Sequence, residues 1–367
     1  MKIRCAAAFL LALVSGLQAE DAAVTADQQA RLVAGLEVPG AAFEKVCKQP
    51  AWIQHSKEFN AAWERLEQKQ LAKIREWSPN VLGNDATSRD PLFYFFSGPD
   101  FLYANTFFPN ASVYVFCGLE PVGAPPDVLN LSPGALSGSL ANLRKSLNAL
   151  LSFSFFITKE MKGDLRATQL NGTLPVMYVF MARLGNTIQK VEPVTLDENG
   201  EVQPAQAGAP GVRIVFARDH QPAQTLYYFS TDLSNNGIKT KPSFIKFCGK
   251  LGPGNGFAKA ASYLMHMDEF SDARNFLLSH CKMIVQDDSG IPFRYFAQDA
   301  WDVLCVGRYP GPIPLFSNRY QKDLAVAVKA SNSPALTFSF GYRWHPSESS
   351  VIIATALQYV PKAVPVK

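Results

Sequence analysis

After Pro91 the chain becomes a series of short apolar runs rich in Phe, Tyr, Val and Ile, punctuated by Gly, Pro, Asn and Asp. Runs of that kind bury themselves in a sheet, and helix-length segments between some of them supply the layer that covers it. The fold class is therefore α/β or α+β. Residues 92–96, 112–117, 153–158, 176–181, 188–194, 212–218, 225–230 and 282–286 read as strands. Residues 336–342 and 350–357 read as a closing hairpin. Asp100 caps a short helix over 100–108, residues 257–278 read as largely helical, and Leu136, Leu140, Leu143, Leu147 and Leu150 form one stripe of a helix over 136–151.

The first ninety residues have a different texture. Lys2 and Arg4 precede an apolar run over 6–14, and Leu17-Gln18-Ala19 ends in a small residue, the pattern of a secretory signal peptide. Export is the expected destination, periplasmic or extracellular. Thr25 and Gln28 fit a capping box. Trp52, Phe59, Trp63, Leu66, Ile74 and Trp77 then recur at three-, four- or seven-residue steps of a helical segment that Ser78-Pro79 is expected to stop, with 79–90 as a linker. Three tryptophans on one stripe mean packing. The expected organisation is a leader (1–19), an N-terminal helical segment and linker (20–90), and two related mixed α/β units packed side by side (91–220 and 221–367).

The relation between the units rests on four correspondences in the same order. Tyr94-Phe95-Phe96-Ser97 resembles Tyr227-Tyr228-Phe229-Ser230, and Phe116-Cys117-Gly118 matches Phe247-Cys248-Gly249. Leu150-Leu151-Ser152 matches Leu277-Leu278-Ser279, and residues 212–233 lie without gaps on 336–357. An internal duplication is expected to place a ligand crevice between the units.

Composition narrows the function classes. With 47% hydrophobic residues and only 18% charged ones, disorder is excluded. The net charge of +4 is small, two of the bases lie in the leader, and no Lys/Arg cluster exists, so nucleic acid is not an expected partner. No apolar run is long enough for an integral membrane segment. Cys47, Cys117, Cys248, Cys281 and Cys305 lack metal-ligand spacing and read mostly as buried thiols; if one disulfide forms, Cys281 with Cys305 is the pair.

Candidate chemistry sits where strands end. The passage Phe96-Ser97-Gly98-Pro99-Asp100 runs from strand to helix, placing Ser97 and Asp100 where open α/β sheets bind ligands, although Asp100 also reads as a plain N-cap. Asp287 and Asp288 follow the strand at 282–286, and Ser289-Gly290 supplies a turn. Glu120, Ser230 and Asp232 lie just past two other strands and are the candidate ligand-binding residues. Gly98 stands alone where a dinucleotide fingerprint needs three glycines, so no cofactor is expected. The glycine-rich stretch over 249–256 lacks the Gly-Lys-Ser/Thr of a P-loop and reads as a turn. Met265-His266-Met267 does not place its residues on one face, and no metal site is expected. Two classes follow: an exported binding or structural module that takes a small-molecule ligand, or a cofactor-independent hydrolase acting through Ser97, Asp100, Asp287 and Asp288.

Overall fold

The computed structural model describes residues 24–152 and 170–359. Its centre is a ten-stranded sheet. The strands are β1 (Leu92–Tyr94), β2 (Val113–Gly118), β3 (Asn186–Leu196), β4 (Val202–Pro204), β5 (Gly211–Arg218), β6 (Gln224–Ser230), β7 (Gly254–Ala258), β8 (Cys281–Gln286), β9 (Trp301–Gly307) and β10 (Ser350–Ala356). They lie in the order β4-β3-β5-β6-β2-β1-β7-β8-β10-β9. The block β6-β2-β1-β7-β8 is parallel, and antiparallel strands extend it at both sides. The class is mixed α/β. Parallel strands need both faces covered, and β1 accordingly is buried along its whole length.

The period-two alternation of these strands divides the core into two layers. Leu92, Tyr94, Tyr114, Phe116, Phe257, Met283 and Val285 face one apolar cluster. Phe93, Phe95, Val115, Cys117, Ala258 and Ile284 face the other. The first layer is closed by helices Pro50–Leu66, Phe101–Phe107, Pro133–Ser152 and Leu174–Arg183, and the second by Ser243–Lys250 and Ser271–His280. Trp52, Phe59, Trp63, Leu66 and Ile74 are buried in the first layer, which makes their stripe a packing face. The five stripe leucines of Pro133–Ser152, Leu136 to Leu150, are buried beside them. No helix among the described residues is long and apolar enough to cross a membrane.

Several expectations are corrected. Residues 176–181 are helix, within Leu174–Arg183. Every residue from Leu174 to Ala182 is buried, and a helix apolar on all sides has no stripe to distinguish it from a strand. Pro79 does not end its helix, which runs from Ala72 to Leu82. The segment over 257–278 begins as strand β7 and becomes regular helix only at Ser271. Residues 336–342 form no strand; β10 pairs instead with β8 and with β9, a strand the sequence reading missed. Cys281 and Cys305 are both free, as are the other described cysteines. They lie on β8 and β9 with β10 between them, and Cys305 is level with Gln286 at the far end of β8 from Cys281, so two strand spacings of about 9–10 Å plus the offset along the strand put a bridge out of reach. The candidate strand over 153–158 lies outside the described residues.

Phe257 is the hub of the first layer. Its ring meets Tyr94 at 4.8 Å, Phe107 at 5.2 Å and Phe340 at 6.0 Å. Truncation to alanine leaves a cavity that three separate segments border, and none can collapse into it alone. Phe257→Ala is expected to cost about 3–5 kcal/mol, measured as a lowered urea midpoint at unchanged slope.

Candidate functional site

The loops after β1 and β7 lead to helices on opposite faces of the sheet, so a crevice opens above the carboxyl ends of this adjacent pair. Asp100 sits at the base of it. Its Oδ1 accepts the N–H of Tyr103 at 3.2 Å, so the acid is the N-cap of helix Phe101–Phe107. Its Oδ2 receives the Tyr94 hydroxyl at 3.0 Å and the Lys259 ammonium at 3.0 Å. Both charged groups are almost wholly buried, 1% exposed for Asp100 and 3% for Lys259. The ammonium also lies 4.1 Å above the Tyr103 ring. Burial raises the Asp100 pKa despite the nearby cation.

The second acid pair continues this network. Asp287 follows β8, and its Oδ2 accepts the Ala260 N–H at 3.2 Å. Its Oδ1 receives the Ser289 N–H at 3.1 Å and the Ser289 hydroxyl at 2.6 Å, and that hydroxyl oxygen accepts the Ala261 N–H at 2.8 Å. Asp288 turns the other way. Its Oδ2 accepts the Tyr263 hydroxyl, and its Oδ1 lies 3.6 Å from the Arg343 guanidinium. Burial first, and then the neighbouring Asp287, push the Asp288 carboxyl up to about 7. Gly341 is at φ +65°, and a Cβ there would collide with the Asp287 carboxylate, so only glycine fits this approach.

These acids hold strained backbone. Ala260, Ser262 and Tyr263 all have positive φ, between 52° and 56°. Left-handed non-glycine residues cost about 1–3 kcal/mol each and persist where their surroundings over-determine them. Here the restraints are Asp287 on Ala260, Ser289 on Ala261, and the Tyr342 hydroxyl, which accepts the Ser262 N–H at 3.0 Å and donates to the Ala260 carbonyl at 2.8 Å. Phe96, after β1, is also left-handed at φ 58°.

The strained loops wall a cavity of about 300 Å³. Phe96, Leu233, Leu264 and Phe270 give it an apolar lining, Ala260 to Ser262 form one side, and Glu120 and Asp232 bring carboxylates. Glu120 is buried, and its Oε2 occupies the space that a side chain at Gly118 would fill. Asp232 is already engaged: its Oδ1 accepts the Ser234 N–H at 2.8 Å and its Oδ2 the Ser234 hydroxyl at 3.0 Å.

The structure thus gathers Asp100, Asp287 and Asp288 into one buried network and places Glu120 and Asp232 at the adjacent cavity. Ser97 is buried, its hydroxyl within hydrogen-bond distance of the Gly98 and Cys117 carbonyls. Ser230 ends β6 opposite Gly118 and is not among the residues lining the cavity. The sequence reading missed Lys259, Tyr263, Tyr342 and Arg343. A lone lysine after a strand gives no signal of its own; only the neighbouring Asp100 and its position across the sheet reveal its role. Among the described residues, no group of three or more His, Cys, Asp and Glu side chains is arranged to hold a metal ion. No family model matches the chain, and no curated protein aligns with it significantly. Its function must be read from the geometry alone.

Two outcomes follow from the network. Lys259→Met strands a buried carboxylate and is expected to lose about 3–5 kcal/mol at neutral pH by urea unfolding, whereas Lys259→Met with Asp100→Asn is expected to recover part of that loss. Asp288 binds protons more tightly folded than unfolded, so its contribution to stability falls as pH rises from about 4 to about 7. His55 and His266, both pushed down to about 4, have the opposite slope over that range. The difference in unfolding free energy between the parent and Asp288→Asn isolates the carboxyl, and is expected to decline across this window rather than stay flat.

Proposed function

We propose that this chain is an exported binding protein whose ligand occupies the cavity bounded by Phe96, Glu120, Leu233 and the 260–262 loop. The observation that carries this reading is the division of labour among the acids. Asp100, Asp287 and Asp288 bond the backbone, Lys259, Tyr94 and Tyr263 and are not among the residues lining the cavity, whereas Glu120, buried and with contacts of its own, is. An apolar lining with one buried acid suits a small molecule that has an apolar body and a cationic or hydroxyl-bearing end. Rigid, strained walls favour binding because the site is shaped before the ligand arrives.

The hydrolase reading through Ser97, Asp100, Asp287 and Asp288 is weaker. All four are buried, and the carboxylates function as acceptors that fix the loops. Asp288, its carboxyl pushed up to about 7, has a titration suited to acid–base work, but its bond to Tyr263 faces the interior. Export is part of the proposal and stands on residues 1–19. Descent of the two units from one ancestor is also part of the proposal, and the central strands support it in part. Outward from the central pair, β1-β2 matches β7-β8, parallel in both, but the next strands differ in direction, since β6 is parallel to β2 and β10 antiparallel to β8. The residue pairing is then redrawn, because Phe116-Cys117-Gly118 is strand and Phe247-Cys248-Gly249 is helix. The matching units become β1, a helix and β2 against β7, a helix and β8.

Calorimetric titration with a set of arylalkylamines and their carboxylate analogues tests the binding reading. The amines are expected to bind and the carboxylates not, with Glu120→Gln weakening the amines by roughly 10- to 100-fold, the scale of one charge-assisted hydrogen bond. Equal affinity for both series, or indifference to Glu120→Gln, would remove this cavity as the site.

A further inference from the structure

A second cavity, of about 820 Å³, lies at the other end of the 260s segment and has the opposite charge character. Arg294, Arg319 and Lys322 line it against a single acid, Asp323. Among the described residues none of these three cations forms an ion pair, although Arg294 lies 4.9 Å over the Tyr295 ring. One Asp323 oxygen is occupied, since its Oδ1 accepts the Leu324 N–H at 2.9 Å. Helix Lys322–Ser331 begins at the cavity, and its N-cap residue Gln321 makes no side-chain cap, so apart from the Leu324 N–H held by Asp323 its N-terminal dipole adds to the positive field.

An independent observation points into the same space. His266 lines the cavity, is only 8% exposed, and its Nε2 has no hydrogen-bond partner among the described residues. Buried polar atoms of native proteins are almost always satisfied, and an orphan beside a cavity calls for a ligand atom. Burial keeps the imidazole neutral near pH 7, with Arg319, Arg294 and Arg274 acting in the same direction. Nε2 of the neutral ring is a donor in one tautomer and an acceptor in the other, and a ligand hydroxyl can partner either. Three cations without ion pairs and one neutral, unpartnered imidazole nitrogen suit a ligand with both an oxyanion and a hydroxyl group.

We propose that this cavity binds a phosphorylated small molecule, its phosphoryl oxygens held by Arg294, Arg319 and Lys322 and a ligand hydroxyl hydrogen-bonded to His266 Nε2. Guanidinium forks match the spacing of phosphoryl oxygens, and a space of this size accommodates an organic body beyond the phosphate. The site shares no lining residue with the Glu120 cavity and stands or falls independently of it.

Calorimetric titration of the full chain with glucose 6-phosphate, inorganic phosphate and glucose, at matched ionic strength, tests this. Glucose 6-phosphate is expected to bind, inorganic phosphate more weakly and glucose not at all. Arg319→Gln combined with Lys322→Gln, both exposed or half-buried and so compatible with folding, is expected to weaken glucose 6-phosphate at least tenfold, with the circular dichroism spectrum of the unliganded protein unchanged. Absence of binding by both phosphates, or equal binding by the double variant, would overturn the proposal. Equal affinity for the free ion and the sugar phosphate would overturn its organic part and assign the cavity to inorganic phosphate.

Discussion

The contact between Asp100 and Lys259 determines how the rest of this molecule is arranged. One carboxylate caps a helix, receives a tyrosine hydroxyl and neutralises a lysine, all in the interior above β1 and β7. Removing two charges from water is expensive, and such pairs seldom raise net stability over an apolar substitute. What the pair supplies is geometry. The lysine can reach its acid only if β1 and β7 are neighbours in one register, so the interaction selects the central pairing of the sheet.

That pairing places two helix-leading loops side by side with their helices on opposite faces. The opening between them is where α/β sheets accommodate ligands, because backbone N–H groups and loop side chains converge there without strands to block access. The second acid pair turns the opening into a fixed shape. Asp287, Ser289 and Tyr342 hold the 260–263 loop in left-handed conformations that its residues would not adopt unaided. The loop in turn joins the two cavities, one lined by Glu120 on its near side and one lined by His266 and a cluster of cations on its far side. Asp288 contributes to both environments: its carboxylate receives Tyr263, while its carbonyl accepts the Gln321 amide at 2.9 Å, just before the helix that opens the basic cavity.

The parts legible in the sequence were those governed by neighbours in the chain. Thr25 accepts the Gln28 N–H while the Gln28 side chain receives the Thr25 N–H, and the capping box was readable because both partners lie within one turn. Asp100 as an N-cap, the leucine stripe of Pro133–Ser152, and strands such as β5, β6 and β8 were readable for the same reason. Leu174–Arg183 was not, since burial on every side removed its periodicity. Nor was β7: Gly254-Asn255-Gly256 contains no strand former, and its extended form is imposed by β1 and β8 on either side. The site residues followed the same division. Asp100, Asp287, Asp288 and Glu120 were visible as acids at strand ends, but their partners Lys259, Tyr263 and Arg343 lie far along the chain or carry no local motif.

The amino-acid order alone determined the element types wherever side-chain spacing matched a helical or strand period, and it determined that acids would stand at the ends of parallel strands. Tertiary structure decided which of those acids became scaffold and which faced a cavity. The reason is physical: a carboxylate's role depends on how much water it loses and which donors replace that water, and both are set by chain segments that meet only after the sheet has formed.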